Sequence, residues 1–345
     1  MGLLLVSAET IIDFEPKIIK AKRLTMQIIF TCVFTCILAF SSSLVAQEDA
    51  PKKLAYITSD LEIPFWNIMS KGITGEAQSL GYEVYLYSAA NSPKQELQNL
   101  INAIDIKVDG IILSPTTSSA SVTLLKFAKK ASIPVVIADI GSDSKDYVSF
   151  ISSDNFTGAY ELGKILGHEM QQKGWQNERV GIIAIPQKRD NGKVRTKGFL
   201  EALNEFGIDK ADIRQQIDFS YQETYNYSQQ LMKQHADLRA IWLQGSDRYQ
   251  AALDAIKDAG KIDEIILICF DAEPSFLELI PKDILIGSAM QQPFLIGQKA
   301  VTSMHAYLQG LPVEKQIQLP ILAISKNNLA ENITTIKRNV LGLVE

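Results

Sequence analysis

From Lys52 onward, short apolar runs alternate with helix-period segments, and the alternation runs through the chain twice. The first series predicts strands at Leu54–Ile57, Val84–Ser88, Gly110–Leu113, Pro134–Ala138 and Val148–Ser152. Helices are predicted between them at Pro64–Leu80, Pro93–Ile106 and Ala120–Ala131. The second series predicts strands at Val180–Ile185, Ile213–Asp218, Ala240–Leu243, Ile265–Phe270 and Ile284–Met290. Its helices are Asn155–Lys173, Asp190–Phe206, Thr224–Gln234, Asp247–Ala259, Pro274–Leu279 and Pro293–Gln309. Glycines just past several helix ends (Gly81, Gly207, Gly260, Gly310) fit helix stops. Strand–helix alternation specifies parallel sheets covered by helices. Continuous rather than alternating apolar runs mean that both sheet faces are covered. Two similar halves of this kind predict two α/β lobes.

A single core rarely grows to the size of a 345-residue chain, which also favours two lobes. The expected boundaries are 52–153 plus 292–320 for the N-terminal lobe and 154–291 plus 321–332 for the C-terminal lobe, with 333–345 as a tail. The chain would then cross between lobes near Ser152–Asn155, Met290–Gln292 and Leu319–Ile321. Three crossings make a hinge with a cleft beside it. The stretch from Ser325 to Glu345 carries a spaced apolar set (Leu329, Ile333, Ile336, Val340) that predicts a terminal helix.

Residues 1–46 read as a leader. Lys17, Lys20, Lys22 and Arg23 precede an apolar run from Ile28 to Phe40, then three serines and Leu44-Val45-Ala46. That is the order of a secretory signal with cleavage after Ala46, an uncleaved anchor being the rival. Cleavage would place the protein in the periplasm. Cys32 and Cys36 would leave with the leader, so Cys269 alone could form no internal disulfide. Loss of four bases and three acids would shift the net charge from -5 to -6. A chain with no basic surplus is poorly suited to nucleic acid or anionic lipid.

The loop after the first strand ends in Pro64-Phe65-Trp66 at the start of a helix. Pro suits a first helical turn, and open parallel sheets place ligands at the carboxyl ends of their strands. At least one of the two aromatics should therefore face a cleft. Trp66 as plain core is the alternative. Catalytic and cofactor signatures are missing: there is no phosphate-binding glycine-lysine loop, no His-Glu-x-x-His and no Cys-x-x-Cys. His168, His235 and His305 are far apart in sequence. No metal, cofactor or enzymatic activity is expected.

Pro64-Phe65-Trp66, Asp154-Asn155, Arg195-x-x-Gly198-Phe199, Phe270-Asp271 and Gln291-x-Pro293 occur in one order and spacing. In this the chain resembles the type I periplasmic solute-binding proteins of the ribose/galactose class, from about Lys52 to Lys326. The resemblance implies two Rossmann-like lobes on a three-crossing hinge. It also implies a ligand site of Phe65, Trp66, Asp139, Arg195, Phe219, Ser246, Phe270, Asp271 and Gln291, with Phe219 facing Trp66 across the cleft. Three positions depart from the family pattern. Ile63 stands where ribose-type proteins have Asn, Ile140 where they have Arg after the Asp, and Gly245-Ser246 where they often have Asn-Asp. Ile63 and Ile140 would make the floor more apolar, which favours a ligand with fewer hydroxyls than ribose.

The residue types suit a sugar without reference to any family. Aromatic faces cover its C–H surfaces, and Asp, Arg and Gln pair with its hydroxyls. Ordinary structural roles remain for each residue. Asp271 could cap the following helix, Asp139 could hold a turn with Gly141, and Arg195 could be a solvated base among Lys188, Arg189, Lys193 and Lys197. The expected function is capture of a small polar metabolite, a sugar in the first place, for an inner-membrane ABC importer. The alternative is a ligand-sensing subunit for a membrane receptor kinase or chemoreceptor. A sugar-responsive repressor would need a helix-turn-helix where this chain has its basic and apolar leader. The protein is expected to be monomeric.

Overall fold

A computed structural model describes residues 51–343. The expected leader, with Cys32 and Cys36, lies outside the described residues. Two six-stranded sheets form the frame. The first contains β1 (Lys53–Thr58), β2 (Glu83–Ser88), β3 (Gly110–Ser114), β4 (Val135–Ala138), β5 (Ser149–Ser153) and β11 (Gln316–Leu319). Its order is β11-β5-β4-β3-β1-β2, and every pairing is parallel. The second contains β6 (Arg179–Ala184), β7 (Ala211–Gln215), β8 (Leu238–Leu243), β9 (Ile266–Phe270), β10 (Gly287–Met290) and β12 (Leu322–Ser325). Its order is β12-β10-β9-β8-β6-β7, parallel except for the antiparallel β10–β12 edge.

The two sheets share one plan. β6, β7, β8, β9 and β10 stand where β1, β2, β3, β4 and β5 stand in the other lobe. The chain changes sheets between β5 and β6, between β10 and β11, and between β11 and β12. This is the two-lobe, three-crossing architecture expected from the alternation. The central strands are buried end to end, as in β3 and β9, which is why they read as unbroken apolar runs.

The helices repeat the correspondence. In the first lobe α1 (Pro64–Ser79) packs on α9 (Pro293–Leu308), which enters from β10 of the other sheet. In the second lobe α5 (Asp190–Glu205) packs on α4 (Asn155–Gln172), which enters from β5. Both contacts depend on a missing side chain. A Cβ at Gly72 would overlap the Phe294 carbonyl, and one at Gly198 would overlap the Phe156 carbonyl. Phe294 and Phe156 are each the second residue of the entering helix.

The other helices are α2 (Pro93–Asp105), α3 (Ala120–Lys130), α6 (Tyr221–Gln234), α7 (Tyr249–Asp258), the single turn α8 (Phe276–Leu279) and α10 (Leu329–Thr335). After α10 the last turn widens over Ile336–Val340. The terminal stretch is packed: Ile336, Val340 and Leu341 join a core cluster of the second lobe, and Gly342 lies against Phe294 and Ile68 of the first. Among the described residues no helix is long and apolar enough to cross a membrane.

Candidate binding cleft

The expected site residues sit on the loops at the carboxyl ends of the strands, where such sheets leave backbone groups and loop side chains free for ligands. Asp139 follows β4 directly, and Asp271 follows β9, its counterpart. Both hold the left-handed backbone region, at φ +64° and +65°, which Asp tolerates better than most residues. Each backbone N–H is pinned to the neighbouring strand, Asp139 to the Ile151 carbonyl at 2.8 Å and Asp271 to the Ala289 carbonyl at 2.9 Å. The tight turn aims the side chain off the strand end. Neither residue caps a helix: Ser275, not Asp271, precedes α8.

Arg195 is only 3% exposed, which rules out the solvated-base reading. Its Nε donates to Asn155 Oδ1 at 2.7 Å and its Nη1 to the Gln244 carbonyl at 2.9 Å. The guanidinium lies 3.8 Å from the centre of the Phe270 ring and 3.8 Å from Asp271 Oδ2. Gln291 Nε2 donates to Asp271 Oδ1 at 2.7 Å. Phe270 is fully buried beneath the arginine. Its place is thus to support Arg195, not to face a ligand as the resemblance implied.

Two buried acceptors in this group have no hydrogen-bond partner, Asp139 Oδ1 and Gln291 Oε1. Burial without a partner is costly for a carboxylate, and it pushes the Asp139 carboxyl up to about 6, with the charge of Asp271 adding to the rise and Arg195 and Arg189 opposing it. Burial also raises Asp271, against the pull of Arg195 and the Gln291 bond. The arrangement is short of hydrogen-bond donors, so it suits a guest that brings hydroxyl or other N–H/O–H groups.

Other expected residues fall differently. Ser246 is buried and its Oγ donates to Glu273 Oε1 at 2.8 Å. Trp66 is 4% exposed and belongs to the first-lobe core cluster with Ala138 and Ile140. Phe65 is half-buried and meets Trp66 edge to face, with centroids 4.9 Å apart. Phe219, at φ +59°, stacks under the Arg189 guanidinium at 5.6 Å. Each ring thus has a direct neighbour, Phe65 for Trp66 and Arg189 for Phe219. Ile140 is fully buried in that same cluster, so it is core and not an open apolar floor.

Several residues absent from the sequence-based set join the cleft. Asn155 and Gln244 hold Arg195. Asp247 Oδ2 is buried without a hydrogen-bond partner, 3.3 Å from the Arg248 Nη1. Arg248 Nε donates to the Phe219 carbonyl at 2.7 Å. Burial pushes Asp247 up to about 6 and Glu273 up to about 7. Asn155 stands in the Asp154-Asn155 motif, and Gln244 and Asp247 lie within four residues of a strand end, the signal that could have marked them. A solvent-open groove of about 320 Å³ runs along the crossing segments, lined by Asp139, Ser153, Asn155, Asp190, Asn191 and Gln318 among others.

Two lobes of one topology, with carboxylates and a guanidinium gathered at their strand ends, define a hinged solute-binding architecture. The chain belongs to the periplasmic binding protein domain family, whose model matches residues 54–312. It is 29% identical over 297 residues to the ribose import binding protein RbsB of Salmonella typhimurium, covering 84% of this chain and 95% of that protein. It is 26% identical over 273 residues to the D-apiose import binding protein of Paraburkholderia graminis, covering 78% and 86%. A carbohydrate transporter solute-binding protein from Agrobacterium radiobacter, solved with D-arabinose, superposes with a TM-score of 0.77 at 21% identity, covering 85% of this chain and all of that one.

Proposed function

We propose that this protein captures a small sugar or related polyol between its lobes and hands it to an inner-membrane ABC importer from the periplasm. The observation that carries this reading is the buried group of Asp139, Arg195, Asp271 and Gln291, with two acceptors left unpartnered. A polyhydroxylated guest supplies the missing donors. Phe65, Trp66, Phe219 and Ser246 complete the proposed wall, and Phe270 backs Arg195. The sugar-binding relatives support the ligand class, and the import-protein relatives support the partner. The role is non-catalytic. The residue pattern departs from that of ribose-type proteins at Ile63 and Gly245-Ser246, so the preferred sugar differs from ribose. Thermal-shift measurements with D-ribose, D-apiose, D-allose, D-arabinose, L-arabinose and myo-inositol test the reading. Stabilisation by at least one of them is expected, and stabilisation by amino acids but by none of these compounds would refute it.

A further inference from the structure

Arg189 sits where β6 hands over to α5, in the second lobe, yet its polar partners belong to the first. Its Nε donates to the Thr116 carbonyl at 3.2 Å, and its Nη2 reaches Asn91 Oδ1 at 3.4 Å. Thr116 follows β3 and Asn91 follows β2. The side chain is 7% exposed, although the surrounding Lys188-Arg189-Asp190 run reads as a solvated helix start.

The first lobe holds these acceptors in a prepared socket. Glu96 is fully buried, and its carboxylate accepts from the Thr116 N–H at 2.7 Å and from Thr116 Oγ1 at 2.9 Å. That fixes the turn whose carbonyl meets Arg189. Asn91 donates through Nδ2 to Asp60 Oδ2 at 3.1 Å, which turns its oxygen toward the arginine. The Phe219 ring packs against the guanidinium from the second-lobe side. A planar cation held by an aromatic face on one wall and two oxygens on the other joins the walls.

We infer that Arg189 is a clasp: it holds the two lobes closed over the cleft by bonding to the Thr116–Asn91 socket of the opposite lobe. This assignment rests on the reading of that cleft as the ligand site. Arg189 is a positioning residue, acting on ligand retention through lobe closure.

Double electron–electron resonance tests the clasp on the full chain. Spin labels are placed at Lys94→Cys and Gln222→Cys, exposed positions on opposite lobes, with Cys32→Ser and Cys36→Ser removing two competing thiols and Cys269 shielded by its full burial. The unsubstituted clasp should give a major short-distance population. Arg189→Met should shift the closed-to-open ratio at least about tenfold toward open, ~1.4 kcal/mol. Arg189→Lys should recover part of it through one remaining donor. Asn91→Gly removes the socket oxygen from the other lobe and tolerates the φ of +56°; it should act in the same direction. Arg189→Met with Asn91→Gly should open the protein no further than Arg189→Met alone, because the pair shares one interaction. A distance distribution unchanged by Arg189→Met, or additive effects of the two substitutions, would overturn the clasp. The sugar thermal shifts are read on the unsubstituted protein. Their failure would remove the sugar reading while leaving the distance result intact.

Discussion

Asp139→Asn should make the ligand-free protein more stable and a poorer binder. Burial and the neighbouring Asp271 raise the Asp139 carboxyl from the ordinary 3.8 to about 6. Between those two pH values the folded state holds a proton that the unfolded chain has released. Stability therefore rises as pH falls through that window, and above pH 6 the fold carries the full penalty of the ionised group. A difference of about two pH units corresponds to roughly 3 kcal/mol at pH 7.5 and about half that at pH 5. Asn keeps the shape and removes the charge, but its amide must find partners of its own, so a net gain of about 1–3 kcal/mol is expected at pH 7.5. Urea unfolding followed by tryptophan fluorescence at pH 7.5 and pH 5 measures this directly. The wild type should gain on acidification by about 1.4 kcal/mol more than the variant. A variant less stable than wild type at pH 7.5, or one with an unchanged pH response, would refute the reasoning. Loss of sugar-induced stabilisation in the same variant would show that the strained carboxylate is kept for binding.

Two further substitutions probe the same cluster. Arg195→Met should cost about 3–5 kcal/mol at pH 7.5, because Asp139 and Asp271 lose their nearest compensating charge; urea unfolding should show the deficit shrinking as pH falls through 6 and Asp139 takes up a proton. Trp66→Ala should lower stability by roughly 3–5 kcal/mol, since the indole is built into the first-lobe core, whereas Trp66→Phe should retain a cooperative melt with weakened sugar response. An unchanged melting temperature in Trp66→Ala would place that ring outside the core.

The lobes were legible because their central strands bury both faces and so leave unbroken apolar runs. β11 and β12 escaped prediction for the opposite reason. Each has four residues, lies at a sheet edge and is separated from the other by Pro320-Ile321. β7, another edge strand, lies at Ala211–Gln215 where the apolar pattern suggested Ile213–Asp218. Asp139, Arg195, Asp271 and Gln291 were legible through motif spacing and strand-end position. Arg189 was not, because nothing local buries it. It stands in a run of charges, and its enclosure comes from the lobe on the far side of the cleft. Phe270 and Ile140 show the converse. Both occupy pocket positions in the sequence pattern, but packing draws them into the wall behind the site.

The helices that carry the chain from lobe to lobe are anchored hard against their destinations. Phe294 is seated on Gly72 and Phe156 on Gly198, with no room for a single methyl group between backbones. Neither helix can slide without parting those surfaces. Bending must then be absorbed by the few peptide units between Ser153 and Asn155, between Met290 and Pro293, and between Leu319 and Leu322. Any opening of the lobes would then turn on these three short tethers, and a bulky or proline substitution within a tether should alter it while both lobes stay intact.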